Sequence, residues 1–346
     1  MDDEDYRRLR DECDNYSATV HALLAFSACV VHDGTARRPG SHFGLGRRME
    51  TSPSNLVSPS ETITPDLVAQ RSRDYGIVGE IKASLGGESS HWDSHISQLR
   101  KYDDDLTGWW TTEETIPHSD TLALLHQSRA RAFIRRIEDK RNADSTSVGP
   151  TTSVIEFNRS DQAEAYYFFR REWGEIREEE LASDLEDGVP IPIHKVLGTL
   201  GSVKFYDSPP PLPFLLQVLW LHVFPAWIDD KGQADPESGE IHIRTTIDEV
   251  TEELQRAYGS KALELDGRSA EFPRTIWVRD ALEALVATRR AYRPPSNQGA
   301  YIIRFRAFRT KVDVLRRFIE MTAGQQEAPK PEQTELPLEQ SNTSAD

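Results

Sequence analysis

Residues 62–84 read TITPDLVAQRSRDYGIVGEIKAS, and this stretch decides the fold of the N-terminal half of the chain. Two apolar runs flank a polar segment, which predicts strands over 63–71 and 77–84 with a tight turn between them. Side chains two apart in a strand point to the same face, so Glu80 and Lys82 project together while Ile81 packs behind them. Pairing of the two strands brings Asp66 to the same edge.

These side chains have the chemistry of a metal-dependent hydrolytic site. Asp66 and Glu80 offer the hard oxygen ligands that Mg²⁺ or Mn²⁺ prefers, and such an ion keeps water molecules that act as nucleophiles. Lys82 is suited to stabilise charge on an attacked phosphate group or to orient the attacking water. A strand with Glu-x-Lys also occurs as an exposed face that carries an ion pair, so this alternative stays open.

The order Pro65-Asp66, turn, Glu80-x-Lys82 resembles the PD-(D/E)XK nuclease family over about residues 40 to 170. That family includes many restriction and repair nucleases. The resemblance implies a Mg²⁺- or Mn²⁺-dependent nuclease that cleaves DNA in repair, restriction or phage defence. DNA versus RNA and internal versus end-dependent cleavage stay open.

Two further features of the sequence are similar to the same family. Gln98 and Tyr102 are four apart in the next predicted helix, and they resemble the Gln-x-x-x-Tyr element of the RecB-like branch, where such residues support the site or the DNA strand. The resemblance implies that both belong to the catalytic set with the Asp-Glu-Lys triad. Glu50 lies where the family often supplies another acidic metal ligand, and Glu12 and Asp14 compete for that role.

The pattern along the chain predicts a mixed α/β fold, in which a central sheet is flanked by helices as in restriction endonucleases. We assign residues 1–174 to this nuclease-like domain, 175–189 to an acidic linker, and 322–346 to a disordered tail. Residues 42–50 are predicted to form a helical turn. The other predicted elements of the first domain are a helix over 6–31, a helix over 91–106, a strand over 121–126, a helix over 128–141 and a strand over 153–158.

Residues 190–321 predict a second, mainly helical domain that resembles a winged helix. In that fold the helix over 275–290 enters the major groove and offers Arg279, Arg289 and Arg290, while the following strand sets Arg304 and Arg306 against phosphates. The alternative is a helical accessory domain whose arginines pair with its own acids or with a partner subunit. The apolar run over 212–228 predicts a buried helix rather than a membrane span, because Gln217, His222 and Pro225 interrupt it.

The net charge of −16 looks unsuited to a nucleic-acid partner, but its distribution matters more than its sum. The opening DDED, residues 175–188 and the tail from residue 322 contribute −4, −6 and −4, which leaves about −2 for the rest. From Arg289 to Arg317 the sequence contains nine basic residues and one acidic residue.

Cys13 and Cys29 predict buried thiols, and the acidic start MDDEDY lacks a secretory pattern. We therefore expect a cytoplasmic protein without a membrane segment.

The expected partners follow from the same resemblances. They are DNA, a second copy of the chain and a motor subunit. Any motor must be a separate chain, because this sequence contains no GxxxxGK[ST] loop for nucleotide hydrolysis. Residues 333–338, from Gln333 to Leu338, resemble the peptides that bacterial replication proteins dock on the sliding clamp. Two other functions stay open: a non-catalytic DNA-binding or scaffold protein with a nuclease-like fold, and a winged-helix transcription regulator.

Overall fold

The computed structural model describes residues 3–33, 36–52, 61–82, 89–103, 105–111, 115–142, 148–149, 151–160, 166–193, 203–236, 239–259, 272–295, 299–308 and 310–326. Within these ranges the protein is mixed α/β, and a large curled sheet is flanked by helices. The predicted fold class is confirmed at this level. The tail peptide over 333–338 lies outside the described residues.

The N-terminal half carries the large sheet and the helices that cover it. In chain order its elements are α1 (Asp3–Val31), β1 (His32–Asp33), β2 (Ala36–Arg37), β3 (His42–Leu45), β4 (Met49–Ser52), β5 (Thr62–Ile63), β6 (Leu67–Gln70), β7 (Tyr75–Lys82), α2 (Ser89–Arg100), β8 (Asp105–Thr107), β9 (His118–His126), α3 (Gln127–Asn142), β10 (Thr152–Ser160), β11 (Tyr166–Trp173), α4 (Glu179–Asp187) and β12 (Val189–Pro192).

The C-terminal half carries a smaller sheet among helices. Its elements are α5 (Leu212–Val218), which continues through a π-helical turn (Leu219–Val223) and a short helix (Phe224–Ala226), then α6 (Ile228–Lys231), β13 (Gly232–Ala234), β14 (Ile241–Thr246), α7 (Ile247–Tyr258), α8 (Thr275–Ala287), β15 (Ala291–Tyr292), β16 (Ala300–Phe305) and α9 (Lys311–Gln326).

Seven strands form the large sheet in the order β12-β11-β10-β9-β7-β6-β3. The central strands β7, β9 and β10 are parallel, and the strands outside them pair antiparallel. Helices α2 and α3 connect the parallel strands, because a parallel pair needs a crossover whereas an antiparallel pair closes through a short turn. Central strands are covered on both faces, so β7 is a nearly continuous buried run.

The two faces of β7 pack against different layers. Ile77 and Ile81 belong to a hydrophobic cluster with α1 and the C-terminal helices, whereas Val78 belongs to a cluster with α2 and α3. Alternate strand residues point to opposite faces. Glu80 and Lys82 accordingly lie on the α2 side, although Lys82, at the end of the strand, also borders a cavity on the α1 side.

The C-terminal half is built on the four-stranded antiparallel sheet β13-β14-β16-β15. Helix α7 begins directly after β14 with a capping box. The Thr246 hydroxyl accepts a hydrogen bond from the Glu249 amide at 3.2 Å, and the Glu249 carboxylate accepts one from the Thr246 amide at 3.0 Å. These two bonds satisfy donors that a helix start leaves unpaired, which fixes where α7 begins.

One buried cluster joins the two halves of the chain. It contains Phe26 of α1 and Phe169 of β11 together with Trp220 and Phe318 from the C-terminal half. The predicted acidic linker contains helix α4, which buries Leu181 and Leu185, and β12 follows it as an edge strand of the large sheet. The division into separate domains stays a prediction. The buried cluster contains residues from both sides of the predicted boundary.

Some predicted elements are wrong. Residues 42–50 form strands β3 and β4 rather than a helical turn, because β3 pairs with β6 and buries Phe43 and Leu45 in the core. Such long-range pairing overrides a weak local helical pattern. The predicted strand over 63–71 is two short strands, β5 and β6. Strand β11 was not predicted, although its sequence YYFFRREW is rich in the aromatic residues that favour strands.

The apolar run over 212–228 is buried, as predicted, but it is not one regular helix. A π-helical turn interrupts it, and Pro225, which has no amide hydrogen, opens the short helix that follows. Trp220 in the π-helical turn is 1% exposed. Among the residues that the structure describes, no helix combines the length and the apolar character needed to cross a membrane.

Candidate active site

Asp66, Glu80 and Lys82 meet at one end of the β6–β7 hairpin. Asp66 immediately precedes β6, whereas Glu80 and Lys82 are among the last three residues of β7. Leu67 pairs with Gly79, and this register sets Asp66 beside the end of β7. The structure therefore brings the three side chains together, although Asp66 lies one residue before β6 rather than within the strand predicted over 63–71.

The ammonium group of Lys82 bridges the two carboxylates. Lys82 Nζ donates to Asp66 Oδ2 at 3.4 Å and to Glu80 Oε2 at 3.2 Å. The backbone amide of Ile81 also donates to Asp66 Oδ2, at 2.8 Å. Asp66 is 1% exposed and Glu80 is 4% exposed. These bonds therefore form in surroundings of low dielectric, where an ionic contact is stronger than in water.

Two side chains near the end of α2 hold Glu80 from the other side. The Tyr102 hydroxyl donates to Glu80 Oε1, and Gln98 Nε2 donates to the Tyr102 hydroxyl oxygen at 3.2 Å. Burial and the neighbouring Glu80 raise the pKa of Tyr102, so its phenol stays a proton donor. The Gln-x-x-x-Tyr pair is thus connected to the Glu-x-Lys pair by hydrogen bonds.

A third acidic side chain, Asp207, reaches this site from the loop before α5. Its carboxyl group lies within hydrogen-bonding reach of the Asp66 carboxylate. Its Oδ1 atom is buried and has no hydrogen-bond partner among the described residues. Sequence reasoning missed Asp207, because it is far from the hairpin in the chain. The available signal was one acidic residue in the apolar and Pro-rich segment VKFYDSPPP.

If Asp66, Glu80 and Asp207 were all ionised, their three negative charges would exceed the single positive charge of Lys82. Burial, with a further contribution from Asp66, raises the pKa of Glu80 to about 8. Burial and Asp66 likewise raise the pKa of Asp207 to about 9. A bound cation would favour the ionised form of each group, so the electrostatics of the site call for positive charge.

Asp66 and Lys82 stay charged within this cluster. Burial acts to raise the pKa of Asp66, but Lys82 and hydrogen bonds from Asp207 and the Ile81 amide lower it overall. Burial acts to lower the pKa of Lys82, but Asp66 and Glu80 outweigh burial and raise it. The Asp66–Lys82 ion pair is therefore the fixed electrostatic centre of the site.

The donor atoms fit a hard divalent cation chemically, and a cation would satisfy the unpartnered Asp207 Oδ1. In the part of the chain that the structure describes, no three His, Cys, Asp or Glu side chains are already arranged to hold a metal ion. Lys82 Nζ contacts both Asp66 and Glu80, so an ion held by these two carboxylates has to displace it. The carboxylate oxygens are of the type that such an ion prefers, and binding would require Lys82 to move away from them.

An open cavity of about 360 Å³ lies against Lys82. One wall comes from α1, including Glu12 and Tyr16, and another from Tyr206 and the prolines after Asp207. Its volume is at the lower end of the range of about 300–1,000 Å³ that small-molecule sites span. The cavity gives Lys82, which is 22% exposed, a route to solvent.

The acids considered as a further metal ligand lie at different places. Glu50 is exposed on β4, in the separate sheet β5-β4-β8. Glu12 lines the cavity against Lys82, while Asp14 is exposed on α1, 3.6 Å from Arg10. Asp207, which was not predicted, is the acidic residue that lies beside Asp66.

The predicted nucleic-acid-binding arginines lie on α8, in the segment after it, and on or just after β16. Arg279 is exposed on α8. Arg289 and Arg290 follow α8 and line a cavity together with Arg306. Arg304, on β16, is paired with an acidic side chain at 2.8 Å, so part of its charge is compensated. These residues lie on the half of the chain that does not carry the β6–β7 hairpin.

The chain matches none of the protein-family models, curated proteins or solved structures with which it was compared.

Proposed function

We propose that this protein is a Mg²⁺-dependent DNA nuclease of the PD-(D/E)XK type, with Asp66, Glu80 and Lys82 in its active site. The observation that carries the proposal is the meeting of two carboxylates and one ammonium group at the end of a hairpin. The strand layout supports it. The antiparallel strands β3, β6 and β7 lead through α2 to the parallel strand β9, so the carboxylates lie at the edge where a crossover helix begins.

In this proposal Asp66 and Glu80 would hold Mg²⁺ or Mn²⁺, which would supply Lewis-acid chemistry at the site. Lys82 leaves the carboxylates and places its ammonium group against the attacked phosphate, where it stabilises developing negative charge. Tyr102, oriented by Gln98, keeps Glu80 Oε1 fixed, so that Oε2 remains directed at the centre of the site. Asp207 replaces Glu50 as the proposed additional oxygen ligand.

We further propose that the C-terminal half binds DNA in the manner of a winged helix. Support comes from its element order, in which α5, β14, α7 and α8 precede the β15–β16 hairpin, and from its sheet order β14-β16-β15. In this arrangement α8 is the recognition helix and presents the exposed Arg279. The proposed setting is DNA repair, restriction or phage defence, with a second copy or a motor subunit as partner.

A cleavage assay with the whole chain tests the nuclease proposal. Linear, circular and single-stranded DNA are incubated with and without Mg²⁺, and the products separate internal from end-dependent cutting. Glu80→Gln and Lys82→Met should each lower the Mg²⁺-dependent rate by about 100-fold or more, the scale on which loss of a charge-stabilising group acts. Glu61→Gln and Lys101→Met alter an exposed ion pair of the same residue types and should cleave normally. Equal activity in all four variants contradicts the proposal.

One observation favours a second candidate, a non-catalytic DNA-binding or scaffold protein. Asp66 and Glu80 are almost fully buried, and Lys82 and Tyr102 already occupy their oxygens, as in a structural ion network. This candidate predicts DNA binding without cleavage in Mg²⁺ or Mn²⁺. It also predicts that Glu80→Gln lowers the melting temperature while DNA affinity is unchanged.

A further inference from the structure

A second cavity, of about 990 Å³, lies in the C-terminal half and shares no lining residue with the cavity against Lys82. It is bordered by the segment after α8, by the residues after β16 and by α9. Its cationic lining consists of Arg289, Arg290, Arg306, Arg316 and Arg317.

The acids around this cavity do not balance its arginines. Glu320 lies 2.9 Å from Arg316 and 3.6 Å from Arg317, and Glu240 lies 2.8 Å from Arg304. Among the described side chains, and counting Arg304 with the five lining arginines, six guanidinium groups lie near these two carboxylates, which is an excess of four positive charges. An excess of this size in a concave site attracts a polyvalent anion.

The Arg290 guanidinium is held in place by aromatic rings. It lies 5.8 Å from the centroid of Trp220 and 5.4 Å from that of Phe308. Trp220 is itself fixed, because it is 1% exposed and its Nε1 donates to the Arg306 carbonyl at 3.0 Å. Burial, together with the nearby Arg317, Arg306 and Arg304, lowers the pKa of Arg290 against the opposing effect of Glu240. A bound anion would relieve this repulsion among the guanidinium groups.

The backbone at Arg289 is strained in a way that serves the same cavity. Its φ of 59° is in the left-handed region, where glycine or asparagine is usual after a helix. The Arg289 amide donates to the Val286 carbonyl at 3.0 Å, and the Arg290 amide donates to the Leu285 carbonyl at 2.8 Å. This tight turn places two consecutive arginines on the cavity wall. Strain of this kind is concentrated at functional sites.

We infer that this cavity binds the phosphoryl groups of nucleotides, presented either by a free nucleoside polyphosphate or by a strand of nucleic acid. Guanidinium groups recognise phosphate through paired hydrogen bonds, which accounts for a lining of arginines rather than lysines. The volume is at the upper end of the range for ligand sites, large enough for more than one phosphoryl group. The site is concave and distinct from the exposed face of α8. It does not depend on the nuclease proposal.

The test titrates the whole chain with ATP by calorimetry and with a labelled single-stranded oligonucleotide by fluorescence anisotropy. EDTA is present throughout, so the outcome is independent of any metal at Asp66. Adenosine, which has no phosphate, is the uncharged control and should not bind. Binding of ATP assigns the site to free nucleotides, and binding of the oligonucleotide alone assigns it to a nucleic-acid strand.

Variants decide whether this cavity is responsible. Arg289→Gln and Arg306→Gln should each weaken binding by about tenfold or more, as expected when a charge-assisted hydrogen bond is lost. They should also reduce the slope of log affinity against log salt by about one for each lost phosphate contact. Arg131→Gln, an exposed arginine on α3, should bind within about twofold of the unchanged chain.

Arg290→Gln is a further variant, and its melting temperature is measured first because Arg290 packs on Trp220 and Phe308. Failure of both ATP and the oligonucleotide to bind overturns the inference. Unchanged affinity in Arg289→Gln and Arg306→Gln overturns it as well.

Discussion

The hydroxyl group of Tyr102 donates a hydrogen bond to Oε1 of Glu80, so a residue that follows helix α2 orients a carboxylate on strand β7. The other oxygen of Glu80 accepts a hydrogen bond from Lys82 at 3.2 Å. Both oxygens of this carboxylate are therefore held in known directions. The relationship joins two sequence motifs, Gln-x-x-x-Tyr and Glu-x-Lys, in a single hydrogen-bonded network.

Tyr102→Phe should lower Mg²⁺-dependent DNA cleavage by about 10- to 100-fold, the usual effect of removing a hydrogen-bond partner of a metal ligand. The phenylalanine ring keeps the packing of a side chain that is 2% exposed, so unfolding free energy should fall by only about 1 kcal/mol. Cleavage rates and thermal melting measure the two effects. Full activity in this variant would show that Glu80 does not need the phenol.

Asp207→Asn should have opposite effects on stability and function. The amide removes one of three neighbouring acids, so the melting temperature of the metal-free protein should rise. Affinity for Mn²⁺ should fall, because a proposed oxygen ligand loses its charge. Calorimetry with Mn²⁺ and thermal melting in EDTA check both. A lower melting temperature together with unchanged Mn²⁺ affinity would remove Asp207 from the site.

The start of helix α4 is fastened to the hairpin through Glu178. Its carboxylate accepts from the Leu181 amide at 2.7 Å and from Arg71 Nη2 at 3.2 Å, and the Arg71 side chain is only 3% exposed. Glu178→Ala should therefore lower the free energy of unfolding by about 1–3 kcal/mol through loss of the cap and of a partner for a buried charge.

The matched control is Glu179→Ala, which removes an exposed acid from the first turn of the same helix. Urea denaturation should show a change below about 0.5 kcal/mol for this control. Equal midpoints for Glu178→Ala and Glu179→Ala would mean that the cap and the Arg71 contact contribute nothing measurable.

Stability should fall on acidification because of His21. Burial, then the charges of Lys204 and Arg159, lower the pKa of His21 to about 4. The unfolded chain, with a histidine pKa of about 6.5, binds the proton first, so stability is full above that value and is lost as pH falls from there towards 4. Between pH 7 and 5 the unchanged protein should lose about 2 kcal/mol more than His21→Gln, measured by urea denaturation. Parallel pH profiles would contradict this.

The local part of the candidate site could be predicted from the sequence. Glu80 and Lys82 share a face because strand residues alternate, and Asp66 follows from the pairing of two adjacent strands. Gln98 and Tyr102 follow from helical spacing. Each of these relations involves residues that are close in the chain or joined by one tight turn. The spacing of residues in the sequence is therefore enough to predict it.

Asp207 and the arginine cavity could not be predicted in the same way. Asp207 reaches Asp66 only because the core joins α5 to α1 and the large sheet, and no local period records that contact. The strand β3 was predicted as helical for the same reason, since its pairing with β6 is long-range. Arg289 and Arg290 were expected on a recognition helix, and the turn at Arg289 instead directs them to a cavity.

Binding of Mn²⁺ to the whole chain is the most direct test that Asp66 and Glu80 hold a divalent ion. Calorimetry should show Mn²⁺ binding to the unchanged protein, and Asp66→Asn and Glu80→Gln should each weaken it by about tenfold or more. Glu61→Gln, at an exposed carboxylate, should bind Mn²⁺ as the unchanged protein does. No Mn²⁺ binding by the unchanged protein, or equal binding by Asp66→Asn, would contradict the metal site and the nuclease built on it.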